Sequence, residues 1–131
     1  MSTIKAAITA VGAYVPDFVL TNKALESMVD TNEEWITSRT GIKERRILKE
    51  EGKGTSFLAI KAAQNLLAKA NVDPLEIDLL IMATATPDMP VASTGAYVAT
   101  EIGATNAFAY DLQAACSSFL FGMSTAAAYI E

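Results

Sequence analysis

The 131-residue chain contains no histidine, a single cysteine and only one tryptophan. One cysteine excludes an intramolecular disulfide, which fits a reducing compartment. No stretch reaches the roughly 18 consecutive apolar residues that a membrane helix requires. The first residues have neither a basic flank nor a long apolar run ending in a cleavage site, so a cytoplasmic location is the default expectation. Positive charge is also scarce: ten Lys and Arg against fifteen Asp and Glu give a net charge of −5, which argues against a general nucleic-acid-binding surface. What positive charge there is clusters. Arg39, Lys43, Arg45, Arg46 and Lys49 form a basic stretch able to hold an anionic ligand locally, although pairing with Glu44 and Glu50 in a solvated turn accounts for it equally well.

Apolar residues are plentiful, at 51% of the chain, enough for one domain of ordinary size over residues 1–131. Their patterning predicts an α/β fold. A β-branched run from Ile4 to Val15, stopped by Pro16, reads as a strand buried on both faces. A short helix is expected over Asn22–Val29. Thr31-Asn-Glu-Glu34 matches a capping box, with Thr31 as the cap of a helix that Gly41 closes. Helical spacing recurs from Phe57 to Ala70 and ends at Asn71, and Asp73-Pro-Leu-Glu76 signals a further single turn. A continuous apolar strand over Leu79–Thr86, a helix near Ser93–Ile102 stopped by Gly103, a strand over Asn106–Leu112 and a helix over Cys116–Ile130 complete the order. The last helix is apolar or small on every side, so it is expected to be buried under more protein than one sheet face supplies. That need for a second layer, together with the chain's stopping just after the helix, suggests half of a larger fold.

Cys116 lies where an apolar strand passes through a small-residue turn, Ala114-Ala-Cys-Ser-Ser118, into this helix. Unpaired N–H groups and the positive end of the dipole at a helix start stabilise a thiolate, which is where a nucleophile is placed. The competing explanation is a small buried hydrophobe, and the missing histidine favours it.

Two motifs decide between these. Thr31-Asn-Glu-Glu-Trp35-Ile-Thr-Ser-Arg39-Thr-Gly-Ile-Lys-Glu-Arg45 and, some eighty residues later, Ala114-Ala-Cys116-Ser-Ser-Phe119 together strongly resemble the β-ketoacyl-acyl-carrier-protein synthase III family. The similarity runs from Gly12-Ala-Tyr-Val-Pro16 to the final helix and matches the N-terminal half of the family. It implies the N-terminal half of a thiolase-like αβαβα layered fold, with a mixed, mostly parallel sheet and a buried central helix starting at the nucleophilic cysteine.

The resemblance also implies a chemistry. Cys116 would accept an acyl group from acyl-CoA, and the acyl-enzyme would be attacked by the carbanion formed when malonyl-acyl carrier protein loses CO2. Thr31, Trp35 and Arg39 align with residues that contact the CoA nucleotide, Trp35 by stacking on the adenine. Acyl-CoA is a substrate, and neither a metal nor a covalently bound cofactor is implied. A homodimer is expected through the Asn106–Leu112 strand and the loop carrying Val91. Three departures stand out. The family's catalytic histidine and asparagine belong to its C-terminal half, so the isolated chain is expected not to condense malonyl groups. Val91 stands where many relatives carry a phenylalanine that enters the partner's acyl pocket, and Ser118 replaces a common glycine, a change of little expected weight. A thiolase-fold acyltransferase, a polyketide or hydroxymethylglutaryl-CoA-type synthase, and a non-catalytic CoA-binding or dimerisation module are the alternatives.

Overall fold

A computed structural model describes residues 5–131. The chain packs as two units, one formed by residues 5–14 and 54–131 and the other by Val15–Lys53.

In the second unit, strand β1 (Val19–Thr21) pairs antiparallel with strand β2 (Glu44–Arg46), with Leu20 opposite Arg45. Helix α1 (Asn22–Leu25) starts on the side chain of Thr21, which accepts from the Ala24 N–H. It is shorter than the expected Asn22–Val29, the chain continuing in turns. Helix α2 (Glu33–Thr40) ends, as the sequence predicts, at Gly41, whose φ of 70° is the left-handed conformation open to glycine. The centre of this unit is polar. Asn22 is buried, and its amide donates to Thr37 Oγ1 at 3.2 Å and to the Ile42 carbonyl at 2.8 Å. Its Oδ1 accepts from the Arg45 guanidinium at 2.6 Å. One side chain thereby ties α1, α2 and β2 together, with each of its polar atoms satisfied.

The first unit contains helix α3 (Thr55–Ala70), a 3-10 turn at Pro74–Glu76, strand β3 (Leu79–Ala83), helix α4 (Thr94–Glu101), strand β4 (Phe108–Leu112) and helix α5 (Ser118–Ile130). β3 and β4 are parallel and in register from Leu79–Phe108 to Ala83–Leu112, with α4 as the crossover. Successive residues of β3 serve opposite faces. Met82 faces α4 at Gly95, the point of closest approach, whereas Leu79, Ile81 and Ala83 face α5. A helix on each face explains why β3 is apolar throughout rather than alternating.

Two expectations are altered. Residues 5–15 of the expected first strand join neither sheet, and Ile8, Val11 and Val15 are exposed; Ile4 lies outside the described residues. The segment instead lies along α3, where the Ala13 N–H donates to Asn65 Oδ1 and Tyr14 meets Phe57 edge to face. A strand buried on both faces needs neighbours on both sides, and β3 and β4 do not supply them here. Helix α5 is likewise covered on one side only. Ser118 alone of its residues is buried, while Phe119 is 69% and Leu120 64% exposed. An open apolar groove of about 590 Å³ runs between α5 and the ends of β3 and β4, lined by Leu79, Ile81, Phe108, Phe119 and Met123 among others.

Candidate active site

Because β3 and β4 are parallel, the loops leaving their carboxyl ends emerge side by side, the region where open α/β sheets place ligand sites. Beyond the last register pair, the Thr84 N–H still donates to the Leu112 carbonyl at 3.2 Å. From the end of β4 the chain enters a 3-10 turn, Ala115–Ser117, and Cys116 is its middle residue. The expected α-helical start at Cys116 is therefore corrected by two residues: α5 begins at Ser118. A run of Ala, Ala, Cys, Ser and Ser has side chains small enough for a tighter first turn.

The turn is strained. Ala115 has φ of 46°, one of two non-glycine residues with positive φ among those described, a conformation disfavoured for any residue bearing a Cβ. It is held by the Ser117 N–H donating to the Ala114 carbonyl at 3.0 Å and by the Ala114 N–H donating to Ser118 Oγ at 2.7 Å. The result is a free, exposed thiol at Cys116. An exposed thiol on a rigid turn can act as a nucleophile, and residues of this kind cluster where backbone strain is held by the surroundings.

Two carboxylates that carry no motif in the sequence fix the neighbouring loop. Asp111 on β4 accepts from the N–H groups of Thr94 and Gly95 at 2.8 and 2.7 Å and from Ser93 Oγ at 3.1 Å, capping α4. Asp88 accepts from the Ser56 N–H at the start of α3, and its own N–H donates to Thr94 Oγ1. Asp111 is the lone acid in the strand Phe-Ala-Tyr-Asp-Leu, and that isolation was the available signal. Between these anchors Val91 projects, 98% exposed.

Thr31, Trp35 and Arg39 belong to the other unit. Thr31 is not the cap of α2; the structure gives that role to Asn32, whose side chain accepts from the Trp35 N–H at 2.8 Å. A capping requirement therefore no longer explains the threonine. Thr31 and Trp35 line one small pocket of about 220 Å³ together with Asp30 and Asn32. Trp35 is 52% exposed, so it is not a core tryptophan, and the Arg39 guanidinium stands 4.9 Å from its ring centre.

The rest of the basic stretch is mostly occupied locally. Arg45 binds Asn22, Arg46 lies 3.4 Å from Glu44, and the Lys49 ammonium sits over the Phe18 ring. Strand β2 runs through this stretch, where a solvated turn and an anion-holding segment are equally expected from the sequence; Glu-Arg-Arg has no apolar alternation to signal a strand.

No protein-family model matches the chain. It is 54% identical over all of its length to β-ketoacyl-[acyl-carrier-protein] synthase III 2 of Bacteroides thetaiotaomicron, of which it covers 39%. Among solved structures, 3-oxoacyl-[acyl-carrier-protein] synthase III of Aquifex aeolicus matches with a TM-score of 0.89 and 45% identity, over 97% of this chain and 40% of that one. The priming β-ketosynthase of the R1128 polyketide biosynthetic pathway matches with a TM-score of 0.87 and 38% identity, over 93% and 36%. The chain thus spans about two fifths of the length of these relatives, less than the half inferred from the sequence. Along its whole length it is homologous to the β-ketoacyl-[acyl-carrier-protein] synthase III proteins and shares their thiolase-like fold.

Proposed function

We propose that this chain carries the nucleophile and part of the CoA-binding surface of a cytoplasmic β-ketoacyl-acyl-carrier-protein synthase III. The observation that supports this most is the exposed Cys116 thiol on a strained turn at the carboxyl ends of parallel strands. The Cys116 thiolate attacks the thioester carbon of acyl-CoA, and its backbone N–H is one donor to the oxyanion that forms. The carbon–sulfur bond to CoA then breaks, CoA leaves with a proton, and the acyl group stays on sulfur. When malonyl-carrier protein loses CO2, the electron pair of the broken carbon–carbon bond attacks the acyl carbon, giving the β-ketoacyl carrier and returning the thiolate. A histidine is needed to assist that second step, and this chain has none. The complete protein, given acetyl-CoA and malonyl-carrier protein, is therefore expected to form acetoacetyl-carrier protein, and the 131-residue chain alone to form none. Absence of product from the complete protein overturns the assignment.

Trp35, Thr31 and Arg39 receive the nucleotide of acyl-CoA in this proposal, with the exposed indole as the stacking surface. Stacking of a base on an aromatic ring contributes roughly 1–3 kcal/mol, so Trp35→Ala is expected to raise KM for acyl-CoA by about tenfold. The rate at saturating acyl-CoA should stay near that of the parent. An unchanged KM removes Trp35 from the site.

The outer edge of β4 has no strand partner among the described residues, and an unpaired apolar edge is suited to pairing with a second copy. We assign the homodimer contact to this edge and to the Val91 loop. A complete, folded protein that sediments as a monomer would exclude it. The likeness to the polyketide-priming ketosynthase favours one second possibility, in which the same acyl transfer at Cys116 starts a polyketide instead of a fatty acid.

A further inference from the structure

The sequence gives Ser118 no more weight than any small residue of a first helical turn, and the structure changes that. Its side chain is buried, 3% exposed, at the start of a helix whose other residues are not. Its Oγ accepts the Ala114 N–H at 2.7 Å, so the bond spans the turn that holds Cys116. Within that span Ala114 is outside the regular helix and strand regions, at φ −144° and ψ 31°, and Ala115 is left-handed at φ 46°. Neither conformation is self-sustaining: a left-handed alanine relaxes unless its surroundings hold it. Within the turn the Ser117 N–H donates to the Ala114 carbonyl and the Ser118 N–H to the Ala115 carbonyl, and neither bond satisfies the Ala114 N–H. Ser118 is the group that satisfies it.

We infer that Ser118 is a positioning residue for the Cys116 thiol, its buried hydroxyl clamping the Ala114–Ser117 turn in the strained form that aims the sulfur outward. It does not touch substrate. It acts by limiting the orientations of the thiol, and a nucleophile displaced by a fraction of an ångström loses rate without losing substrate affinity. The inference rests on Cys116 being the acylated residue.

Ser118→Ala and Ser118→Gly both delete the acceptor, and Ser118→Thr keeps it. In the complete protein, the single-turnover rate of Cys116 acylation by acetyl-CoA would be followed by intact-protein mass spectrometry, below the melting transition that circular dichroism gives for each variant. The two deletions are expected to slow acylation roughly threefold to tenfold with KM for acetyl-CoA unchanged, and threonine to restore most of the rate. A folded Ala or Gly variant that acylates at the parent rate overturns the role, even if its melting temperature has dropped. Failure of the parent protein to acylate at Cys116 would instead sink the nucleophile assignment itself, so the two failures are distinguishable.

Discussion

Cys116→Ala is expected to abolish the acyl adduct that the complete parent protein forms with acetyl-CoA, and to lower condensation by roughly a millionfold, as loss of a covalent nucleophile does elsewhere. The loss would be chemical and not structural. Cys116 is exposed, and no hydrogen bond of its side chain supports the turn, which depends on the Ala114, Ser117 and Ser118 groups. Alanine already occupies the two preceding positions, so one more leaves the steric demands of the turn unchanged. The variant should therefore keep the parent's circular dichroism spectrum and still bind acyl-CoA at the Trp35 surface. Intact-protein mass spectrometry decides the matter: an adduct on the variant, or none on the parent, removes Cys116 from the chemistry.

The second large effect is on stability and lies far from the thiol. Gly12 is in the segment that lies along α3, where an added Cβ would stand 2.5 Å from Leu66 Cβ, 2.6 Å from the Leu66 nitrogen and 2.7 Å from the Ala62 carbonyl oxygen. Two of those three atoms are backbone of a sixteen-residue helix and have no rotamer to change. Gly12→Ala should cost about 3 kcal/mol, the upper end of what overpacking usually costs. Gly41→Ala makes a useful comparison, because its Cβ would meet nothing within 4 Å and only the positive φ opposes it. That change should cost about 1 kcal/mol. Urea unfolding of both variants in the complete protein would rank them, and a Gly12→Ala protein as stable as Gly41→Ala would mean the segment does not press on α3.

The helices of the first unit were legible because their punctuation is local: Asn71 and Gly103 adopt positive φ at the ends predicted for them, and Asp73 and Ser93 cap the turns they precede. The sequence points to Thr31 and the structure to Asn32 as the cap because Thr and Asn are both good caps, and adjacent candidates differ only in which backbone turns extended. Residues 5–15 were read as a strand because β-branched residues fit one, but a strand also requires a neighbour, which is a property of the packing and not of the segment. Among the candidate residues, Cys116 came from its place before an apolar helix and from resemblance, and Thr31, Trp35 and Arg39 from resemblance alone. Asp88, Asp111 and Ser118 did not, since they act through main-chain groups that only the fold brings within reach.

The left-handed alanine beside Cys116 also constrains how this gene can drift. From an alanine codon, one nucleotide change reaches glycine, aspartate, glutamate, serine, threonine, valine or proline. At position 115, with φ of 46°, glycine fits at no steric cost and aspartate is tolerated. Valine and threonine carry a branched Cβ into a region they avoid, and the proline ring fixes φ near −65° and cannot follow at all. Most single-step paths away from Ala115 therefore distort the turn before they touch the thiol, and the residue is held in place by its backbone, with no chemistry of its own to conserve.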